Sequence, residues 1–455
     1  RDGDLTAVLH PLPDIADRAL SLVKAGFDPA PAKLNEGNIF SHLLETAPEG
    51  SILSREGDVK KGEKAAARHF ERSYFQNYVA HAPMETHTAL AAFEGKRITV
   101  WASTQTPFSL KEEVAHALSM PSGDVRVITP FVGGGFGGKT WNAQGVEAAR
   151  LAKVTGKPVQ VCWTREEEFF NDSFMPAAVV KIRSGLDGKN RIAYWDYRVY
   201  FAGERCAPTF YDIPAQTTAT HGSAWGSAGA HPFSTGAWRG PAANTNTFAR
   251  ESHMDFMAAE AGTDPVAFRL AHLRNNARMA AVLEKAAAAF SWAPSKTPPG
   301  RGRGVACVDY LGTYVTAMAE VEADPRSGEI KVNRVLCAQD MGQVINPEGA
   351  ALQMEGCMMM GLGYPLSEMI HFRGGEILDT NFDTYRIPRF SWMPRIETVL
   401  VDNPSVPPQG GGEPAVTCMG AVLANAVSDA LKIRIIELPM TPEKVKKAVL
   451  ESEKK

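Results

Sequence analysis

The densest chemistry-bearing stretch of the chain is FVGGGFGGKT, residues 131–140, with five glycines among the six positions 133–138. Glycine leaves backbone N–H groups open to a bound anion, and a run of this density carries an entropy cost that a simple turn does not require. Lying after a strand-like run and before a helical one, it reads as a phosphate- or pyrophosphate-binding loop. Two motif readings compete with a plain structural turn. Gly133, Gly135 and Gly138 satisfy the dinucleotide pattern GxGxxG, whereas Gly133, Gly138, Lys139 and Thr140 satisfy the Walker pattern of a P-loop nucleotide-binding protein. The first expects an acidic residue about 20 positions on. The next strand instead ends in Trp163, Thr164 and Arg165, with Glu166 arriving late. The second expects an apolar strand ending in Asp for magnesium, and the best candidate, RVLCAQD ending at Asp340, lies about 200 residues downstream.

Four further segments carry candidate groups. PPQGGGEPAVTCMG places one carboxylate, Glu413, between three glycines and an apolar helix. An acid in apolar surroundings can act as a general base near neutrality, and an acid at a helix entry can equally serve the macrodipole. GAWRGP presents Arg239 beside Trp238, either to meet a substrate carbonyl or carboxylate or to stack on the indole. STQTPF and QMEG carry Gln105 and Gln353, whose amides could donate to a bound oxo group or cap neighbouring backbone. HAPMETH holds His81, Glu85 and His87 in a spacing that matches no zinc pattern, so local hydrogen bonding is the expectation there.

The elements that must position these groups alternate in type. Strands are expected at 5–9, 97–102, 124–129, 158–163, 305–309, 315–323 and 330–338. Helices are expected through residue 23 and at 110–118, 143–155, 248–262, 265–275, 348–361 and 419–431. The alternation predicts a mixed α/β or α+β architecture. Residues 205–250 lack periodicity, and a Pro/Gly/Lys-rich connector at 292–303 is the main expected boundary. With 48 basic and 51 acidic side chains and no Lys/Arg-rich run, the chain lacks the electrostatic footprint of a nucleic-acid binder. No segment has the roughly 18 consecutive apolar residues of a membrane span. The six cysteines are scattered, so no iron–sulfur cluster is expected on this chain.

In order, ASTQTPF, FVGGGFGGK, WTREEEF, GAWRGP, FARESHMDFMAAEAGTDPVAFRLAHL, QDMGQVINPEGAALQMEG and GGGEPAV resemble the molybdenum-binding large subunit of the xanthine dehydrogenase/aldehyde oxidoreductase family, on its isoquinoline 1-oxidoreductase-like bacterial branch. The resemblance implies elongated molybdopterin-binding domains at 61–295 and 296–455, preceded at 1–60 by the end of a hammerhead domain. It implies a molybdopterin, as the cytosine dinucleotide, cradled by Gly134, Gly135, Phe136 and Gly137, with Gln353 near the metal. Glu413 becomes the base, Gln105 the partner of a metal ligand, and Arg239 a substrate-stabilising residue. The reaction implied is oxidation of aldehydes with water-derived oxygen, with N-heteroaromatic hydroxylation as the alternative. Electrons then leave through a small [2Fe-2S] subunit; an N-terminal companion chain, a FAD subunit or a cytochrome are further candidate partners. A bacterial cytoplasmic or periplasmic setting goes with this branch. Thr140 stands where purine-oxidising members carry glutamate, which argues against xanthine. The AYRCSFR loop of the carbon monoxide branch does not occur.

Overall fold

The computed structural model of the chain describes residues 1–26, 33–225, 229–293 and 297–453. These form two compact units whose segments interleave along the chain: 1–35, 81–173 and 372–381 in the first, 36–80, 174–371 and 382–455 in the second. The expected 295/296 boundary falls on residues outside the described set.

The first unit is built on a four-stranded mixed sheet in the order Val125–Ile128, Arg97–Ala102, Thr88–Glu94, Val159–Cys162. Two helices cover it. In Pro107–Leu118, Leu110, Val114 and Leu118 recur every fourth residue and are all buried, and Ser119 ends the helix in the left-handed conformation. Ala143–Thr155 buries Ala148, Ala149 and Ala152 and stops at Gly156, φ 64°. The small alanine face lets this helix lie close against the sheet core of Ala89, Ala91, Ile98 and Val100. The strand expected at 5–9 is absent. A single bridge joins Asp2 to Leu5, and without a neighbouring strand the alternating pattern has nothing to pair with.

The second unit has two sheets. One runs Ser51–Glu56, Gln216–His221, Ile192–Tyr200, Ala178–Leu186, Arg68–Gln76, Glu437–Leu438, and the other Arg301–Tyr310, Thr313–Ala323, Ile330–Asp340, Arg395–Leu400. Helix Ala243–Glu260 is buried along its length except at Asp255, Ala259 and Glu260. Helix Met419–Leu431 lies against strand Arg301–Tyr310, and glycine is what allows it. A Cβ at Gly302 would stand 2.0 Å from the Ala426 carbonyl oxygen, and one at Gly304 2.0 Å from that of Val422. The glycines of the expected connector are therefore strand residues, because the strand starts at Arg301. Among the described residues, Pro414–Leu431 is the one helical stretch apolar enough to cross a membrane; 89% of it is buried inside the fold, as a core helix is.

One buried acid gives this unit a pH dependence. Burial pushes the Glu368 carboxyl up to about 8, although the Tyr385 hydroxyl donates to its Oε2 at 2.9 Å. A carboxyl raised in the fold contributes stability at pH below its unfolded value, and that contribution is lost as pH rises towards about 8. The buried imidazoles of His253 and His231, pushed down by burial to about 3 and about 4, give the opposite slope at acid pH. The Glu368 effect is thus read between pH ~6.5 and ~8, as a fall of up to ~1.4 kcal/mol per pH unit. Glu368→Gln is expected to flatten that fall in urea titrations at stepped pH, while an unchanged slope would contradict the assignment.

Candidate functional site

In the first unit, the chain leaves strand Val125–Ile128, crosses the glycine loop, makes one 3-10 turn at Gly138–Thr140 and enters helix Ala143–Thr155. The loop bends sharply, with φ of 97° at Gly134, 54° at Phe136 and 118° at Gly137. Two side chains clamp it. Glu85 Oε2 accepts from the Gly133 amide at 2.6 Å and from Lys139 Nζ at 2.8 Å. Gln105 Oε1 accepts from the Gly137 amide at 3.0 Å, and its own backbone N–H donates to the Lys139 carbonyl at 2.7 Å. Partial burial works to raise the Glu85 carboxyl, but Lys139 and the Gly133 amide outweigh it and hold it below the usual carboxylate value. The amides of Gly134, Gly135 and Phe136 have no hydrogen-bond partner among the described residues. They form a short row of donors of the kind that receives an anion.

This geometry removes the Walker reading on physical grounds. A P-loop lysine must reach phosphate, whereas the fully buried Lys139 is taken by Glu85. Asp340, proposed for magnesium, is paired with Arg278 at 2.6 Å. The HAPMETH groups are likewise committed to separate partners: His81 to Asp172 at 2.8 Å and His87 to Glu168 at 2.9 Å. Glu85 and Lys139 are the residues that sequence reasoning missed as loop holders; the available signal was a lysine closing a glycine run with no ribose acid to follow.

A Cβ at Gly135 would stand 2.5 Å from Gln105 Oε1. Gly135→Ala therefore forces the Gln105 amide off Gly137 and loosens the row of donors. A hydrogen bond of this kind contributes about 1 kcal/mol, so roughly a fivefold loss of anion or cofactor affinity is expected. Pterin content per chain measures it; undiminished loading would show that the loop is not the cradle.

The second unit gathers three candidates that are far apart in sequence. Arg239 stands just before helix Ala243–Glu260, Gln353 on helix Pro347–Met360, and Glu413 at the start of the short helix Pro414–Thr417. Arg239 donates from Nη2 to Gln353 Oε1 at 2.9 Å and from Nε to the Gly412 carbonyl at 3.0 Å. Trp238 does not present its ring to solvent; it is buried and donates its indole N–H to the Ala80 carbonyl at 3.0 Å. The three glycine carbonyls before Glu413 are each held. Thr313 Oγ1 donates to Gly410 at 2.8 Å, Gln339 Nε2 reaches Gly411 at 3.5 Å, and Arg239 and Cys357 Sγ converge on Gly412. Burial, opposed by Arg239, raises the Cys357 thiol and keeps it a neutral donor. A glycine run that would otherwise be flexible is thereby fixed.

The Glu413 side chain does not cap its helix. Its Oε2 accepts from the Tyr310 hydroxyl at 2.5 Å, and Tyr310 in turn accepts from Arg205 Nη1 at 3.0 Å. Oε1 has no partner among the described residues. Nearby, the fully buried Gln339 keeps Oε1 without a partner, a polar atom available to a bound group. Gln105 and the glycine loop belong to the first unit, and Arg239, Gln353 and Glu413 to the second. The unpartnered loop amides, the fixed carboxylate and the orphaned Gln339 oxygen fit a large anionic, hydrogen-bonding cofactor.

That chemistry defines a cofactor-binding class, and comparison with known proteins identifies it. A molybdopterin cofactor-binding domain profile matches residues 44–273, and a second profile of the same description matches 241–394. The chain belongs to the molybdopterin-binding domains of the xanthine dehydrogenase family, a family of molybdenum-dependent oxidoreductases. A nicotinate dehydrogenase chain of Pseudomonas putida is 28% identical, covering 98% of this chain and 40% of that protein. The beta chain of isoquinoline 1-oxidoreductase from Brevundimonas diminuta is 27% identical over 94% of this chain and 58% of its own length. The chain thus spans about half the length of these curated relatives. The aldehyde oxidoreductase of Desulfovibrio gigas shares the fold, with a TM-score of 0.81 at 16% identity, covering 96% of this chain and 68% of that one. The mixed α/β architecture expected from the sequence is the one found.

Proposed function

We propose that the chain is the catalytic part of a molybdenum hydroxylase that hydroxylates an electron-poor N-heteroaromatic ring, with oxygen derived from water. The observation that carries the reading is the single carboxylate of Glu413, half-buried, fixed at Oε2 and open at Oε1, behind a pinned glycine segment. When bound, the molybdenum cofactor accepts the two electrons removed from the substrate and activates the water-derived oxygen. The protein's part is acid–base and positional. Glu413 Oε1 takes the proton of the attacking oxygen, and the Tyr310 hydroxyl favours the ionised form in which the carboxylate can do so. Arg239 holds Gly412 and Gln353 in register. In the first unit, the amides of Gly134, Gly135 and Phe136 would hold the anionic part of the cofactor, a cytosine dinucleotide pterin in this reading, with Gln105 and Glu85 keeping the loop in shape.

Motifs alone place aldehydes before heterocycles. The relatives at 28% and 27% identity, named for nicotinate and isoquinoline, support the reverse order. The cysteines are free and mostly buried as single thiols, so electrons are proposed to leave through a [2Fe-2S] partner subunit. The test is a panel of nicotinate, isoquinoline, quinoline and aromatic aldehydes with an artificial electron acceptor, using the complex purified from molybdate-supplied cells and assayed for molybdenum and pterin. Ring hydroxylation carrying label from ¹⁸O-water is expected. Turnover of aldehydes alone would overturn the heterocycle reading, and a complex that binds ATP and holds no molybdenum would overturn the whole assignment.

A further inference from the structure

We propose that Tyr310, backed by Arg205, is the positioning residue that holds Glu413 as an aimed, ionised base. The inference deepens the proposed function and rests on its reading of Glu413. Tyr310 is the last residue of strand Arg301–Tyr310, so its backbone is fixed by a ladder to Thr313–Ala323, pairing directly with Thr313. The residue is 4% exposed and its hydroxyl lies 2.5 Å from Glu413 Oε2. A hydroxyl at this distance from a carboxylate is a charge-assisted donor, stronger than a neutral pair. It does two things that a solvent molecule would not. It occupies one carboxylate oxygen and so leaves Oε1 as the only basic atom, and it stabilises the charged form, keeping the base competent at lower pH.

Arg205 adds a second layer. Its Nη1 donates to the Tyr310 oxygen at 3.0 Å, and its guanidinium lies 5.5 Å from the centre of the Tyr310 ring. Drawing electron density from the phenol oxygen makes the hydroxyl a better donor to Glu413. Burial, reinforced by Glu413, holds the phenol above its ordinary pKa, so the proton stays on tyrosine and the carboxylate remains the acceptor. The charged and titratable groups around Glu413 are Tyr310 on its strand, Arg205 after strand Ile192–Tyr200, Arg239 before helix Ala243–Glu260 and Cys357 on helix Pro347–Met360. Arg239 and Cys357 are engaged with the Gly412 carbonyl, and of these groups only Tyr310 hydrogen-bonds the Glu413 carboxylate.

The test compares wild type, Tyr310→Phe, Arg205→Met and Glu413→Gln in the purified complex, each normalised to molybdenum and pterin content. With Tyr310→Phe, the acid limb of the kcat/KM profile is expected to move up by about one to two pH units, since a hydrogen bond to a charged group is involved. KM should change little while kcat falls about tenfold near neutrality. Arg205→Met is expected to shift the limb in the same direction by less, and it serves as the readout should Tyr310→Phe lose cofactor. An unmoved acid limb in cofactor-replete Tyr310→Phe, or in Arg205→Met where that variant is the readout, overturns the inference while an inactive Glu413→Gln leaves the base standing. Normal turnover in Glu413→Gln overturns both.

Discussion

Glu413→Gln is expected to bind cofactor as the wild type does and to lose turnover by about three orders of magnitude, within the range that a positioned general base supplies. The substitution is nearly isosteric, and the carbonyls of Gly410, Gly411 and Gly412 stay held by Thr313, Gln339, Arg239 and Cys357, so the frame around the site survives. What is lost is the one basic oxygen. The measurement is steady-state kcat with an artificial acceptor beside molybdenum content. Near-normal kcat in a loaded variant would remove Glu413 from the reaction.

Glu251→Ala is expected to destabilise the second unit by about 3–5 kcal/mol, the penalty for stripping one partner from a buried ion network. Glu251 is fully buried on helix Ala243–Glu260 and faces two arginines. Its Oε1 accepts from Arg250 Nε at 3.2 Å, and its Oε2 from Arg269 Nε at 3.0 Å and from the Cys307 amide at 3.1 Å. Tyr211 adds a hydroxyl at 3.0 Å. Removing the carboxylate leaves two guanidinium groups without their counter-charge in a water-free interior. Urea unfolding reads the loss, and a double variant with Arg269→Met should cost less than the two single changes summed. Additive losses would mean that the groups act independently.

The two substitutions also mark how far the sequence is readable. Strand Arg97–Ala102 and helices Ala143–Thr155 and Met419–Leu431 are found at their expected bounds, since each has a clear period and most have a Gly, Pro or left-handed stop. Strands Ala178–Leu186 and Ile192–Tyr200 give no such signal, because both of their faces are buried and the alternation that marks a half-exposed strand is missing. The site is legible in the types of its residues and in the order of its motifs, not in their spacing. Arg239 and Gln353 are 114 positions apart, and Tyr310 and Glu413 are 103. No local pattern links a tyrosine ending one strand to an acid opening a distant helix. Lys139 misled for a related reason: its place in the loop suggests phosphate, but burial gives it to Glu85.

The interleaving of the two units sets an order of events during synthesis. Residues 81–173 carry a complete four-stranded sheet and both of its covering helices, so this body can close on local contacts as it leaves the ribosome. The larger sheet must wait. Strand Arg68–Gln76 pairs with Ala178–Leu186 only after that whole insertion has been made, and its other edge is covered by Glu437–Leu438, which arrives almost last. Until then it presents an open edge to its surroundings, the period in which such a chain is most exposed to mispairing and most dependent on being chaperoned. The segment that ends in the catalytic acid precedes this closing strand by only a short stretch, so the base is among the last parts of the molecule to find its place.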